Sequence, residues 1–149
     1  MTEQQSLKGI LSATFKRKGG DGHYTRLFDN LDPFQKEILL RQANLSDTEL
    51  PIIGSAEAED KWLLLTTDRL MWRSGDEFTA LDVADIDDAV ADFQKLMTTG
   101  SHKEQMRELQ ILTMNGEQRI IEVEEGAPLI GVWHVLKNLG VRNRGSGHE

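Results

Sequence analysis

One stretch, Lys61 to Asp92, does most to limit what this chain can become. Trp62–Leu65 and Leu70–Trp72 are apolar runs separated by Thr66–Thr67–Asp68. Ser74–Gly75–Asp76 then separates the second run from Phe78–Leu81. Apolar runs this short, punctuated by polar turns, do not make helices; they match strands of an antiparallel sheet. The rest of the chain supplies more of that sheet or something laid against it.

From Pro51 onward the period is that of strands, predicted at 51–57, 61–66, 69–74, 77–81, 87–95, 107–114 and 117–124. Asn115–Gly116 is the strongest local signal. A type I′ turn needs positive φ at both central positions, and Asn-Gly supplies it best. In the strands that it joins, Leu109 and Ile111 share a face, as do Ile121 and Val123, and these face a core. Leu112 and Met114 lie on the other face, which is predicted to be covered as well. Residues 95–105 read as a polar loop centred on Gly100.

Helices flank this region. Leu129, Val132, Trp133, Leu136 and Leu139 recur at helical spacing, which predicts a helix over 128–139 with Trp133 as its central buried residue. Gly140 reads as its αL stop, and 141–149 as a disordered tail. Upstream, Asp32 is placed to cap a helix that starts at Pro33, with Gln35 where a capping box wants it. Phe34, Ile38 and Leu39 form its apolar face, and it fades near Asn44. In residues 1–31, Leu7, Ile10, Leu11 and Phe15 fall near helical spacing, followed by Lys16–Arg17–Lys18 and a flexible break at Gly19–Gly20–Asp21–Gly22.

Seven strands and then one amphipathic helix is the order of the pleckstrin-homology (PH) barrel. The phrases LLLTTDRLMW (63–72), LDVADIDDAV (81–90), the Asn-Gly hairpin and PLIGVWHVLKNL (128–139) resemble bacterial PH-like and GRAM-like domains. The resemblance spans about 51–140 and implies an α+β fold. In it, a seven-stranded antiparallel bent sheet or barrel is capped by a C-terminal amphipathic helix. Residues 1–31 then form a basic, glycine-containing segment, and 32–50 a helical extension.

Charge and composition narrow the function. The chain carries −8, unevenly spread. Lys8, Lys16, Arg17, Lys18 and Arg26 face Glu3 and Asp21 within residues 1–26, a net of +3, so the remainder sums to −11. An acidic body argues against nucleic acid, whose binding is driven by phosphate neutralisation. Phosphoinositide binding is the best-known use of the PH fold. It calls for cations around the first strand loop, and here that loop is Glu57–Ala58–Glu59–Asp60, with Lys61, Arg69 and Arg73 nearby. No phosphoinositide is therefore expected. There is no cysteine, no apolar run that could span a bilayer, and no pattern of a secretory signal.

Two stretches remain as candidate sites. Asp82, Asp85, Asp87, Asp88 and Asp92 form an acidic run suited to a basic protein partner. It is not an EF-hand, because Val90 and Leu96 stand where Gly and Glu are required. Leu7, Ile10, Leu11 and Phe15, with Lys16, Arg17 and Lys18, are the residues that could touch an anionic membrane. The alternative for that segment is a helix docked on the main domain. His23, His102, His134 and His148 are scattered, and no nucleophile, phosphate-loop or metal pattern is present. No cofactor is expected. The sequence predicts a non-enzymatic, cytoplasmic module that binds a protein or self-associates. Its rivals are a peripheral membrane module and an acidic, inhibitor-like partner of a basic protein.

Overall fold

Lys61–Thr66 forms the central strand of a five-stranded sheet, and its burial explains why the sequence runs apolar there without alternating. Leu63 and Leu65 point into one core, with Leu27, Ile53, Leu70, Ile111 and Leu136. Trp62 and Leu64 point into another, with Met71, Ile38 and Leu39. A strand covered on both faces needs apolar residues at every position.

A computed structural model describes residues 2–91 and 107–146. Its elements are α1 (Glu3–Lys18), β1 (Thr25–Leu27), α2 (Pro33–Ala43), β2 (Pro51–Ala58), β3 (Lys61–Thr66), β4 (Arg69–Ser74), β5 (Glu77–Asp82), β6 (Ile86–Val90), β7 (Glu108–Thr113), β8 (Gln118–Glu122) and α3 (Ala127–Ser146). The class is α+β. The strands form two antiparallel sheets, ordered β1-β2-β3-β4-β5 and β6-β7-β8, with a turn at Val83–Asp85 between β5 and β6. This corrects the single seven-stranded bent sheet or barrel. Among the described residues there are eight strands, and no ladder joins the two sheets. The additional strand, β1, is three residues long, too short to show a period. The polar loop at 95–105 and the end of the strand predicted over 87–95 lie outside the described residues.

Local chemistry sets the ends of the elements. Asp32 caps α2 by accepting the Gln35 N–H at 2.8 Å. Gln35 does not complete a capping box. Its buried amide donates instead to the carbonyls of Tyr24 and Ala56, both at 3.3 Å. Ile38 and Leu39 are buried as predicted, but Phe34 is 67% exposed. The turn at Asn115–Gly116 is not type I′, since Gly116 has φ +87° while Asn115 is not at positive φ. The Gly116 N–H bonds Thr113 O at 3.0 Å and the Thr113 N–H bonds Glu117 O at 2.9 Å. That is a three-residue loop with glycine in the left-handed position. Met114 and Ile120 leave the outer face of the second sheet partly open.

The C-terminal helix departs from its prediction in two ways. First, Gly140 does not stop it: the helix continues to Ser146, so 141–146 are helical and only 147–149 of the predicted tail lie outside the described residues. Gly140 serves close approach instead, because a Cβ there would stand 2.1 Å from the Asp87 carbonyl oxygen. Second, Trp133 is not the buried centre. Leu129, Val132, Val135, Leu136 and Leu139 form the buried stripe, and half-buried Trp133 sits at its margin. There its indole N–H donates to Ala89 O at 2.9 Å.

Residues 2–31 are packed on the rest of the fold. Leu11 and Phe15 are wholly buried in the same core as Ile53 and Leu109, against α3. Gly131 makes room for the Phe15 ring, whose Cδ1 would lie 2.6 Å from a Cβ at that position. The Glu124 carboxylate then ties the following loop down by accepting the N–H groups of His23, Tyr24 and Thr25 at 2.7–2.8 Å.

Candidate functional site

β5 is the outermost strand of the larger sheet. It pairs with β4 without a bulge, from Ser74↔Glu77 to Arg69↔Asp82. Gly75, at φ +64°, opens the two-residue turn between them. The pair that closes such a hairpin exchanges both hydrogen bonds, and alternate pairs do so thereafter. At the far end the Val83 N–H bonds Asp68 O at 2.9 Å, which keeps that phase. The N–H and C=O groups of Phe78, Ala80 and Asp82 therefore point away from β4. Among the described residues those of Phe78 and Ala80 and the Asp82 N–H have no further backbone partner, while the Asp82 carbonyl, at the N-cap of the turn Val83–Asp85, takes the first hydrogen bond of that turn. All three residues are exposed, Phe78 by 44%.

The other edges are handled differently. On β1, the N–H groups of Thr25 and Leu27 are taken by the carboxylates of Glu124 and Asp21, at 2.8 and 2.9 Å. The edge of β6 lies beneath α3, at Gly140. β8 is open at Gln118 and Ile120, but its Glu122 reaches across to Lys61 at 3.5 Å. Among the described residues β5 and β8 each keep an outward row, and that of β5, on a six-residue strand, is the longer.

Beside β5, a cleft of about 310 Å³ opens between the sheets, lined by Ser55, Lys61, Leu63, Trp72, Ile120 and Glu122, with Glu77 also contributing. Of the two cations that line it, Lys61 has carboxylate partners, whereas Arg73 makes no salt bridge among the described residues; Arg107 and Arg69, outside the lining, are paired. Lys61 Nζ lies 3.5 Å from both Glu57 and Glu122. Arg107 lies 3.5 Å from Glu57 and 2.9 Å from Glu125. Arg69 grips Glu49 with two nitrogens, at 2.8 and 2.9 Å, and also bonds Ala43 O at 3.2 Å. Burial raises the Glu49 carboxyl pKa, but Arg69, the Thr66 hydroxyl and the Ser46 N–H outweigh it and hold the group below the usual range.

The acidic run divides. Asp82 and Asp85 are exposed. Asp88 accepts from Lys137 Nζ at 3.0 Å, and Asp87 from Arg144 at 3.2 Å, so α3 neutralises both. Burial raises the Asp88 carboxyl pKa, and Lys137 with the Ala89 N–H brings it below its ordinary value. Asp92 lies outside the described residues. The structure does not bring the other four together as one free surface.

The N-terminal stripe divides as well. Leu11 and Phe15 are buried, Leu7 is half-buried against the same core, and only Ile10 is exposed. Lys16, Arg17 and Lys18 are exposed, but the apolar face that would accompany them into a membrane is spent on α3. No helix among the described residues is long and apolar enough to cross a membrane.

Among the described residues no group of three His, Asp or Glu side chains could hold a metal. His134 is kept below its ordinary pKa by burial first, then by Lys18 and Lys137. His102 and His148 lie outside the described residues. No protein-family model matches the chain, and no curated protein matches it either.

The open β5 edge has no signature in the sequence of its own. A local run cannot say which strand will be outermost, although Glu77 and Asp82 at the two ends of β5 are the residue type that edges favour.

Proposed function

We propose that this chain is a non-enzymatic protein-recognition module of PH-like architecture. The order of strands followed by a helix seated against the core supports the PH-like part. The recognition part is carried by one observation, the outward backbone row of Phe78, Ala80 and the Asp82 N–H on β5, the longer of the two open margins among the described residues. Protein partners use such edges by adding a strand. Phosphate ligands are disfavoured, because Lys61 and Arg69 already have carboxylate partners. The acidic, inhibitor-like version shrinks to Asp82 and Asp85, which flank the same edge. A membrane role finds no support, with Leu11 and Phe15 buried.

The test joins solution mass to reconstitution. The full chain is immobilised and any captured protein is purified and recombined with it, with light scattering of each component and of the mixture. A defined complex supports the proposal. A strict monomer from which no captured protein can be reconstituted overturns it.

A further inference from the structure

We infer that the β5 edge takes an extended segment flanked by Lys or Arg, which adds as a sixth strand to the larger sheet, and that this occupant is not a second copy of the chain. The inference rests on the protein-recognition reading and specifies its partner. Asp76 and Glu77 stand at one end of the open row, Asp82 and Asp85 at the other, and none makes a salt bridge among the described residues. All four are exposed. On the neighbouring strand Arg73 is held over the Phe78 ring at 5.6 Å from its centroid, and Arg69, opposite Asp82, is gripped by Glu49 at 2.8 Å.

An incoming strand thus meets backbone partners along its middle and negative charge at both ends, whichever way it runs. From Phe78 to Asp82 an extended chain covers roughly 14 Å, so flanking cations belong about seven residues apart. On one face the incoming side chains lie beside Phe78 and Ala80, and on the other beside Thr79 and Leu81. A second copy would bring four more carboxylates to the same seam, within a Debye length of roughly 8 Å, on a body of charge −8. Like charges brought together across a strand pair are destabilising.

The probe is a blocked seven-residue peptide of alternating threonine and valine with lysine at both ends, compared with the same peptide ended in glutamate. Both are titrated into the full chain, and backbone amide resonances and hydrogen exchange are followed. The lysine-ended peptide should bind at least about tenfold more tightly and lose affinity with added salt. It should slow exchange at the amides of Phe78, Ala80 and Asp82. Ala80→Pro removes an outward N–H that the β4 ladder does not use, so it should abolish binding in a folded protein. A Glu77→Lys, Asp82→Lys variant should reverse the preference between the two peptides, and does not depend on tolerance of proline.

Equal binding of the two peptides, or protection mapped elsewhere, overturns the inference. So does a dimer of the chain that Ala80→Pro dissociates, which would make the occupant a second copy. A reconstituted protein partner that binds the Ala80→Pro chain undiminished overturns strand addition but leaves protein recognition standing. No peptide binding together with no reconstituted partner removes both.

Discussion

Replacing Phe15 with alanine tests whether α1 is part of the fold or an appendage to it. The ring is wholly buried, with its edge over the backbone of Gly131. Losing a buried phenylalanine removes its transfer energy and leaves a cavity, together about 3–5 kcal/mol. A domain of this size has roughly 5–15 kcal/mol in all, and each kcal/mol moves its melting temperature by about 2–4 °C. Phe15→Ala should therefore lower Tm by roughly 6–20 °C. Phe34, on α2, is the control: it is 67% exposed, and its replacement should change stability by no more than about 0.5 kcal/mol. Urea melts followed by the fluorescence of Trp62, Trp72 and Trp133 would report on the larger sheet and on α3 where it meets β6. If α1 were a detachable anchor, the two variants would unfold alike and Phe15→Ala would cost under about 1 kcal/mol. That result would refute the placement of Leu11 and Phe15 in the common core.

Three further outcomes can be checked. Helix propensity alone makes Gly140→Ala stabilising by about 1 kcal/mol, whereas the clash with the Asp87 carbonyl makes it destabilising by about 1–3 kcal/mol; a rise in Tm would mean that α3 does not lie on β6 as described. Arg69→Ala leaves the Glu49 carboxylate, 2% exposed, without its cation and should cost about 3 kcal/mol; adding Glu49→Leu should recover at least half in denaturant melts, and no recovery would argue against the pair. The Glu124 carboxyl is raised by burial but held below its ordinary value by the N–H groups of Thr25, His23 and Tyr24. A depressed carboxyl stabilises the fold above its unfolded pKa and loses that contribution as pH falls through the folded one. Glu124→Gln should thus be less stable near pH 7 yet show a flatter loss between about pH 5 and pH 3, and parallel curves would contradict the sign.

Where residues carried their own local chemistry, the sequence was legible. The ends of β3 and β4 were read correctly because Thr66 and Gly75 make turns by themselves. The Thr66 hydroxyl accepts the N–H groups of Asp68 and Arg69, at 3.0 and 2.9 Å, and Gly75 supplies positive φ. The stripe on α3 followed from spacing alone. What stayed hidden depended on distant partners. Gly140 has the same identity whether it ends a helix or lets one pass close to a strand, and only β6 decides between them. Trp133 is one position from Val132, and periodicity cannot tell the centre of a buried stripe from its margin. Asp87 and Asp88 read as free charge because Arg144 and Lys137 lie 57 and 49 residues further along. Phe15 resembled an anchor residue because its pocket is a missing side chain, Gly131, on another helix.

The edges follow from the faces. Because α2 covers one side of the larger sheet, and the second sheet with α1 and α3 covers most of the other, a partner meets the faces of β3 and β4 at the cleft between the sheets. Recognition is thereby confined to the strand margins and the cleft beside them. A sheet with bare margins pairs indiscriminately unless something guards it. This chain guards β1 with carboxylates that accept its N–H groups, and β6 with a helix. At β5 the guard is charge alone, and charge differs from the other two devices in one respect: it repels only strands of like sign. The same acids that keep two copies of the chain apart therefore leave the margin open to a cationic strand, so solubility and selectivity at β5 have a common physical origin.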